Sequence, residues 1–348
     1  MFVLIFNIFI MMAYALISNL FSLNNNKQKS LFLTIAFFHL LFLHTFFDAS
    51  VFPDLDNYYQ YFSLISNPNA KSTELEIGWN IINRALYSIS TNSFILLFTV
   101  SFAMIYFYLK TIKRYSDIAW ISVFILLCTV FYNSLFVLRQ NLAIPLCLMT
   151  IPYIIERKPV KFSLLTLLAI SIHFSAIVWF IAYFIYSFKL NKLFYILLTI
   201  FSILIFQFFN LILENLILIS TNIMAYSDSV DVSGLSILKS TAVNLSALLL
   251  CLYSYGSFDR ITGYNKLFFQ LISISLFLGL LPYFGAGFTL FDRLSLYFSI
   301  SSMFLIPNSL ANLKKHKLFH YLIFVPVICV FYLFFLNGIA QYGYNLKF

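Results

Sequence analysis

Charge is scarce in this chain. Only 9% of its 348 residues are Asp, Glu, Lys or Arg, whereas soluble domains carry about a quarter. With 62% hydrophobic residues and a mean hydropathy of +0.93, a soluble protein is excluded. Extended polar sequence is missing as well. The longest segment outside the apolar runs is 48–91, so no soluble catalytic domain fits anywhere. No G-x-x-x-x-G-K-[ST] loop, no G-x-G-x-x-G at a helix start and no H-E-x-x-H occurs, which removes the equipment for nucleotide hydrolysis, dinucleotide chemistry and zinc proteolysis. The four cysteines, Cys128, Cys147, Cys251 and Cys329, stand alone in apolar stretches, with neither a disulfide framework nor metal-ligand spacing. Internal repeats and low-complexity segments are also absent, and the chain reads as one polytopic domain, 1–348.

What is present is apolar sequence in lengths that suit a bilayer, which needs about 20 residues of helix to cross. The runs lie at roughly 2–23, 31–47, 92–109, 118–137, 140–155, 162–187, 193–213, 239–255, 267–283, 290–306 and 319–336. Period-2 alternation is missing, so these are helices and the fold class is all-α: a polytopic helical membrane bundle of about 11–12 membrane helices. No basic residue precedes the first run and Lys27 and Lys29 follow it, the wrong polarity for a cleaved signal peptide, which suggests an N-terminus outside.

The run 162–187 has basic residues at both ends, Lys161 and Lys189/Lys192. If it goes in and returns, with His173 near the turn, all the basic loops fall on one side. The inside then holds 15 basic and 3 acidic residues and the outside 6 basic and 9 acidic. This positive-inside bias suggests a bacterial inner membrane. Each arm of such a hairpin rises only ~16 Å, so it is re-entrant or buried in protein. A single long tilted helix is the alternative. The net charge of +9 is accounted for by topology, and the scattered cations offer no face for nucleic acid.

Polar groups at membrane depth are costly and mark function. Four constellations fall on the outer side. The outer loop 48–91, with an amphipathic helix from Leu75 to Ser90, carries Asp54, Asp56, Tyr58, Tyr59, Glu74, Glu76 and Trp79. Carboxylates mixed with rings suit carbohydrate, since hydroxyls donate to carboxylates and apolar sugar faces stack on rings. A solvated loop with interfacial aromatics explains the same composition. Arg139-Gln140-Asn141 sits at the mouth of a span, where a guanidinium forks onto phosphate oxygens or snorkels to headgroups. His173, at the break of the hairpin, is either a hydrogen-bonded core histidine or a general base. Asp292-Arg293 with Tyr297 is a self-compensated pair or a second phosphate-binding cation. The second outer loop, 214–238, shows no clear chemistry, and His39 and His44 lack polar neighbours and read as core histidines.

The F-P-D-L-D-N-Y-Y run after Asp48, then E-x-G-W, L-R-Q-N-L-A, I-S-I-H-F-S-A and D-R-L-S-L-Y, in that order, resemble the EpsG-like branch of the Wzy-type oligosaccharide repeat-unit polymerases. The resemblance runs from about Asp48 to Tyr297 and implies a membrane glycosyltransferase. Such an enzyme joins undecaprenyl-diphosphate-linked repeat units into O-antigen, capsule or exopolysaccharide at the periplasmic face. It implies that Arg139, Gln140, His173, Arg293, Asp56 and Glu76 face the cavity. On this reading His173, Arg139 and Arg293 are catalytic. Asp56, Tyr58, Tyr59, Glu76, Trp79, Gln140, Asp292 and Tyr297 bind substrate. No metal or cofactor is required, and the partners are the lipid-linked oligosaccharide, membrane lipids and a chain-length regulator, with no nucleic acid. An O-antigen-type ligase, a flippase or other transporter, and more weakly a membrane O-acyltransferase are the competing readings.

Overall fold

The computed structural model describes residues 6–7, 9–15, 25–46, 53–65, 75–204, 234–281 and 288–339. Glu74, the segment Pro282 to Gly287 and most of the 214–238 loop lie outside them. Every regular element among the described residues is helical. Three helical runs are long and apolar enough to cross a membrane, Phe94–Tyr115, Gly263–Leu280 and Arg293–His316, with several shorter apolar helices beside them. The protein is an all-α polytopic membrane bundle. Its described part divides into two compact units, residues 1–177 with 313–348, and residues 178–312.

The first unit is built from α1 (Asn25–Thr45), α2 (Pro53–Leu64), α3 (Ile77–Ile89), α4 (Phe94–Tyr115), α5 (Ala119–Leu126), α6 (Leu138–Leu148), α7 (Ile151–Ile155) and α8 (Pro159–Ile172). Helix α4 shows how sequence sets the frame. The Asn92 side chain accepts from the N–H of Phe94 and starts the helix. Lys113 and Arg114 occupy the last turn, where cations offset the dipole. Twenty-two residues rise ~33 Å, enough for the hydrocarbon core. Leu97, Val100, Ser101, Met104, Tyr108 and Thr111 form the buried stripe. Phe94, Phe98, Phe102 and Tyr106 form the exposed one, with Lys110 over the last ring, a face fitted to lipid.

Three of the long runs are interrupted, two of them where one continuous helix is expected from hydropathy and the third, 162–187, at the histidine where a break is expected. After α5 the backbone passes through a π-turn, Leu127–Phe131, and a 3-10 turn, Asn133–Leu135, before α6 begins. Ser134 donates to the carbonyl of Phe131, a local bond that competes with the helix. The run 140–155 ends α6 at Leu148, because Pro152 has no N–H to give the Leu148 carbonyl and disfavours helix at Ile151. In the run 162–187, α8 stops at Ile172, His173 is extended (φ −151°, ψ 116°), and a 3-10 turn (Phe174–Trp179) leads to α9 (Phe180–Ile185). The break falls at the histidine, and one uninterrupted helix across this run is excluded.

The second unit contains α9, α10 (Lys192–Leu204), α11 (Gly234–Tyr255), α12 (Gly263–Leu280), α13 (Phe288–Ser299) and most of α14 (Ser302–His316). Its helices are tied by buried polar bonds, the kind that hold helices together where lipid offers no hydrophobic drive. Asn244 donates to Ser275, Ser275 donates to the carbonyl of Ser295, and Gln270 donates to the carbonyls of Ile185 and Phe188. The closing helix α15 (Leu318–Ile339) belongs to the first unit, where Tyr332 meets Phe124.

Candidate active site

Glu76 is the N-cap residue of α3, with extended backbone (φ −60°, ψ 144°), yet its carboxylate makes no bond to its own helix. It reaches instead to two others. Arg139, in the first turn of α6, places Nη1 on Oε2 as a close ion pair. His173 lies just past the end of α8, with Nδ1 3.1 Å from Oε1. The N–H of Phe174, released from the helix by the break, donates to the same oxygen at 3.0 Å. One carboxylate thus clasps two chain segments 63 and 97 residues away.

Gly78 is what lets α3 come so near. A Cβ there would lie 2.7 Å from the carbonyl oxygen of Ser171 and 2.9 Å from its carbon, in the last turn of α8. Trp79 is fully buried and meets Tyr58 edge-on at 5.6 Å, which fixes α2 over α3. The tie is reinforced by Tyr61, which hydrogen-bonds Asn80. The three fixed positions of E-x-G-W therefore divide the labour: a carboxylate to clasp, a glycine for approach and an indole for the floor.

Side-chain exposures of 18% for Glu76, 19% for Arg139 and 13% for His173 put the triad at an accessible rim, neither sealed nor fully wet. Burial by itself would raise the Glu76 carboxyl. The hydrogen bond from His173, the charge of Arg139 and the Phe174 N–H outweigh it and hold the group down to about 2. Burial also pushes the Tyr58 hydroxyl up, against the pull of the neighbouring Arg139, and takes Tyr59 to about 12. With Nδ1 donating to the carboxylate, a neutral His173 ring presents Nε2 as its acceptor nitrogen.

The depressed carboxyl makes a pH prediction. A group lowered from 4.5 to about 2 stabilises the fold fully above 4.5 and loses that contribution as pH falls towards 2. Thermal stability of the detergent-solubilised protein should carry a Glu76-dependent slope that sets in below about pH 5. Below that, the wild type should lose stability relative to Glu76→Gln. Equal acid sensitivity of the wild type and Glu76→Gln below pH 4.5 would contradict the clasp.

Tyr58, Glu76, Trp79, Arg139 and His173 are thus brought together, all within the first unit. Some expected roles change. Trp79 is enclosed and cannot offer an open face to a sugar, whereas Tyr58 and Tyr59 are half-buried. The three side chains of Arg139-Gln140-Asn141 do not form one open anion site: Gln140 and Asn141 are buried, and Asn141 bonds back to the carbonyl of Val137. A helix presents successive residues to different sides, which is why only the arginine reaches Glu76. Asp56 is exposed and accepts from Gln60 one turn on. Arg293 is half-buried and Tyr297 fully buried on α13, in the second unit, and the Asp292 side chain lies outside the described residues.

His44 is the core histidine the sequence suggests, but with polar partners that the sequence does not show. It is fully buried, with Nδ1 2.7 Å from Ser101 Oγ and Nε2 2.7 Å from Ser134 Oγ. Those serines lie 57 and 90 residues away, so no local signal marks the contact. His39 likewise has polar company, in Asn7 and Tyr14.

A helical membrane bundle whose broken spans present an Arg–Glu–His clasp at an accessible rim defines a membrane protein with a built polar site. The EpsG family model matches residues 30–347, nearly the whole chain, and the protein belongs to the EpsG family. Membership places it among the membrane proteins of polysaccharide biosynthesis. No curated protein and no solved structure matches it.

Proposed function

We propose that the protein is a polysaccharide polymerase that joins undecaprenyl-diphosphate-linked repeat units at the outer face of a bacterial inner membrane. The observation that carries this reading is the Glu76 clasp, which fixes a histidine and an arginine at one accessible rim. In the reaction, a hydroxyl of the acceptor sugar attacks the anomeric carbon of the donor. The C–O bond to the diphosphate breaks, and the lipid diphosphate leaves with the electron pair. His173 Nε2 takes the hydroxyl proton, its ring oriented by Nδ1 on Glu76, the arrangement by which a carboxylate holds a catalytic imidazole in one tautomer. Arg139, anchored through Nη1, brings permanent positive charge to the diphosphate as negative charge develops there. Tyr58 and Tyr59 contact the sugars. The proposed chemistry uses residues of the first unit alone.

Removing a positioned general base costs about 100- to 10,000-fold. His173→Ala and Arg139→Ala should therefore each reduce surface glycan from a ladder to single repeats, with the protein at wild-type levels in the membrane. If both variants left the ladder intact, the assignment would be wrong. Loss of all attached glycan in a deletion strain, in place of single repeats, would favour a ligase.

A further inference from the structure

Between α5 and α6 the backbone runs through a π-turn and a 3-10 turn, and α6 delivers Arg139 in its first turn. Such a segment lacks the regular i→i−4 ladder that would hold it, so its position depends on outside ties. His44, on α1, supplies one. Its Nε2 meets Ser134 Oγ in the 3-10 turn, its ring packs at 5.3 Å against Phe131 at the end of the π-turn, and its Nδ1 meets Ser101 Oγ on α4. The anchor is firm at the far end, because Ser101 also donates to the carbonyl of Leu97 within α4.

We infer that His44 is a positioning residue for Arg139, acting through Ser134 and the broken segment. This rests on the proposed role of Arg139 in the chemistry. A neutral imidazole has one N–H and one lone pair, so Nδ1–H donates to Ser101, whose own proton goes to Leu97, while Nε2 accepts from Ser134, whose single proton is shared with the Phe131 carbonyl. It therefore bridges α4 to the turn as one hydrogen-bonded unit that a purely apolar residue cannot replace. The route from the turn to the site is short: Ser134 and Arg139 are five residues apart, with Leu135 and Leu138 between them fully buried. Displacing the turn displaces the guanidinium relative to Glu76, and an error of about 1 Å at a reacting group costs about 100-fold in rate.

The ring's two nitrogens can be tested separately. The amide of glutamine reaches where Nε2 stood, towards Ser134; that of asparagine reaches where Nδ1 stood, towards Ser101. Polymerisation of lipid-linked repeats by reconstituted protein should show a kcat for His44→Gln within about 3-fold of wild type and for His44→Asn about 10- to 100-fold lower, with KM little changed in both. In an Arg139→Lys background, adding His44→Asn should cost less than about 2-fold further, because the displaced group no longer matters. Equal losses for Gln and Asn, or the same loss in both backgrounds, would overturn the positioning role. A wild-type rate for Arg139→Ala would instead overturn the proposed chemistry itself, so the two failures are distinguishable.

Discussion

Glu76→Gln is expected to abolish polymer formation, with a rate loss of at least about 100-fold and a destabilisation of about 2 kcal/mol. The change is nearly isosteric, so packing against α8 survives and the effect is electrostatic. A carboxylate accepts at both oxygens, and here Oε2 takes Arg139 while Oε1 takes His173 and the N–H of Phe174. A carboxamide has one acceptor oxygen and one NH2 donor. Whichever way it turns, its NH2 must face either a guanidinium or the donor pair, and one side of the clasp opens. Arg139 loses its counter-charge at a site only 19% exposed, where a lone cation is poorly solvated. Glu76→Asp keeps the charge but shortens the reach, and should retain more activity than Gln. Glycan ladders compared at matched membrane levels of the variants check this order; Gln at or above Asp would contradict it.

Gly78→Ala carries the second large effect, and its sign follows from two competing magnitudes. Alanine is favoured over glycine within a helix by roughly 0.5–1 kcal/mol. Against that, the new Cβ would stand 2.7 Å from the Ser171 carbonyl oxygen. The obstacle is backbone near the end of α8 and cannot swing aside as a flexible side chain would. Overpacking of this kind costs about 1–3 kcal/mol, so the clash wins. Relief requires α3 to withdraw from α8, and Glu76 lies two residues before the glycine, so withdrawal pulls the carboxylate off His173. The expected outcome is a lower melting temperature together with loss of polymer. Gly279, within α12 and with nothing within 4 Å of a Cβ built there, is the control: Gly279→Ala should leave polymer unchanged and the melting temperature the same or slightly higher.

Much of the architecture was legible because its signal is local. Hydropathy marked the helices, and the motif residues Tyr58, Glu76, Trp79, Arg139 and His173 stood out as polar or aromatic groups in an apolar chain. The break at His173 was also readable, from basic residues at both ends of one long run. Other features depend on contacts far apart in sequence. Nothing around Glu76 states that its carboxylate crosses to an arginine 63 residues on, so it read as a sugar ligand and not as the centre of a clasp. The π- and 3-10 turns between 127 and 135 lie in an apolar run without proline or glycine, and hydropathy cannot register them. His44 looked inert because its serines lie on other elements. The pattern of Arg139-Gln140-Asn141 misled in the opposite direction, since adjacency along a helix is not adjacency on one face.

The central claim is that this membrane protein forms glycosidic bonds through the Glu76–Arg139–His173 clasp. It is tested most directly by reconstituting the purified protein in liposomes with a polyprenyl-diphosphate-linked oligosaccharide and resolving the products by size. The expected result is a ladder of repeats, each added unit matched by one released lipid diphosphate, that collapses to the single repeat with His173→Ala. Movement of labelled substrate across the bilayer with no bond formed, or a ladder unchanged by His173→Ala, would contradict it.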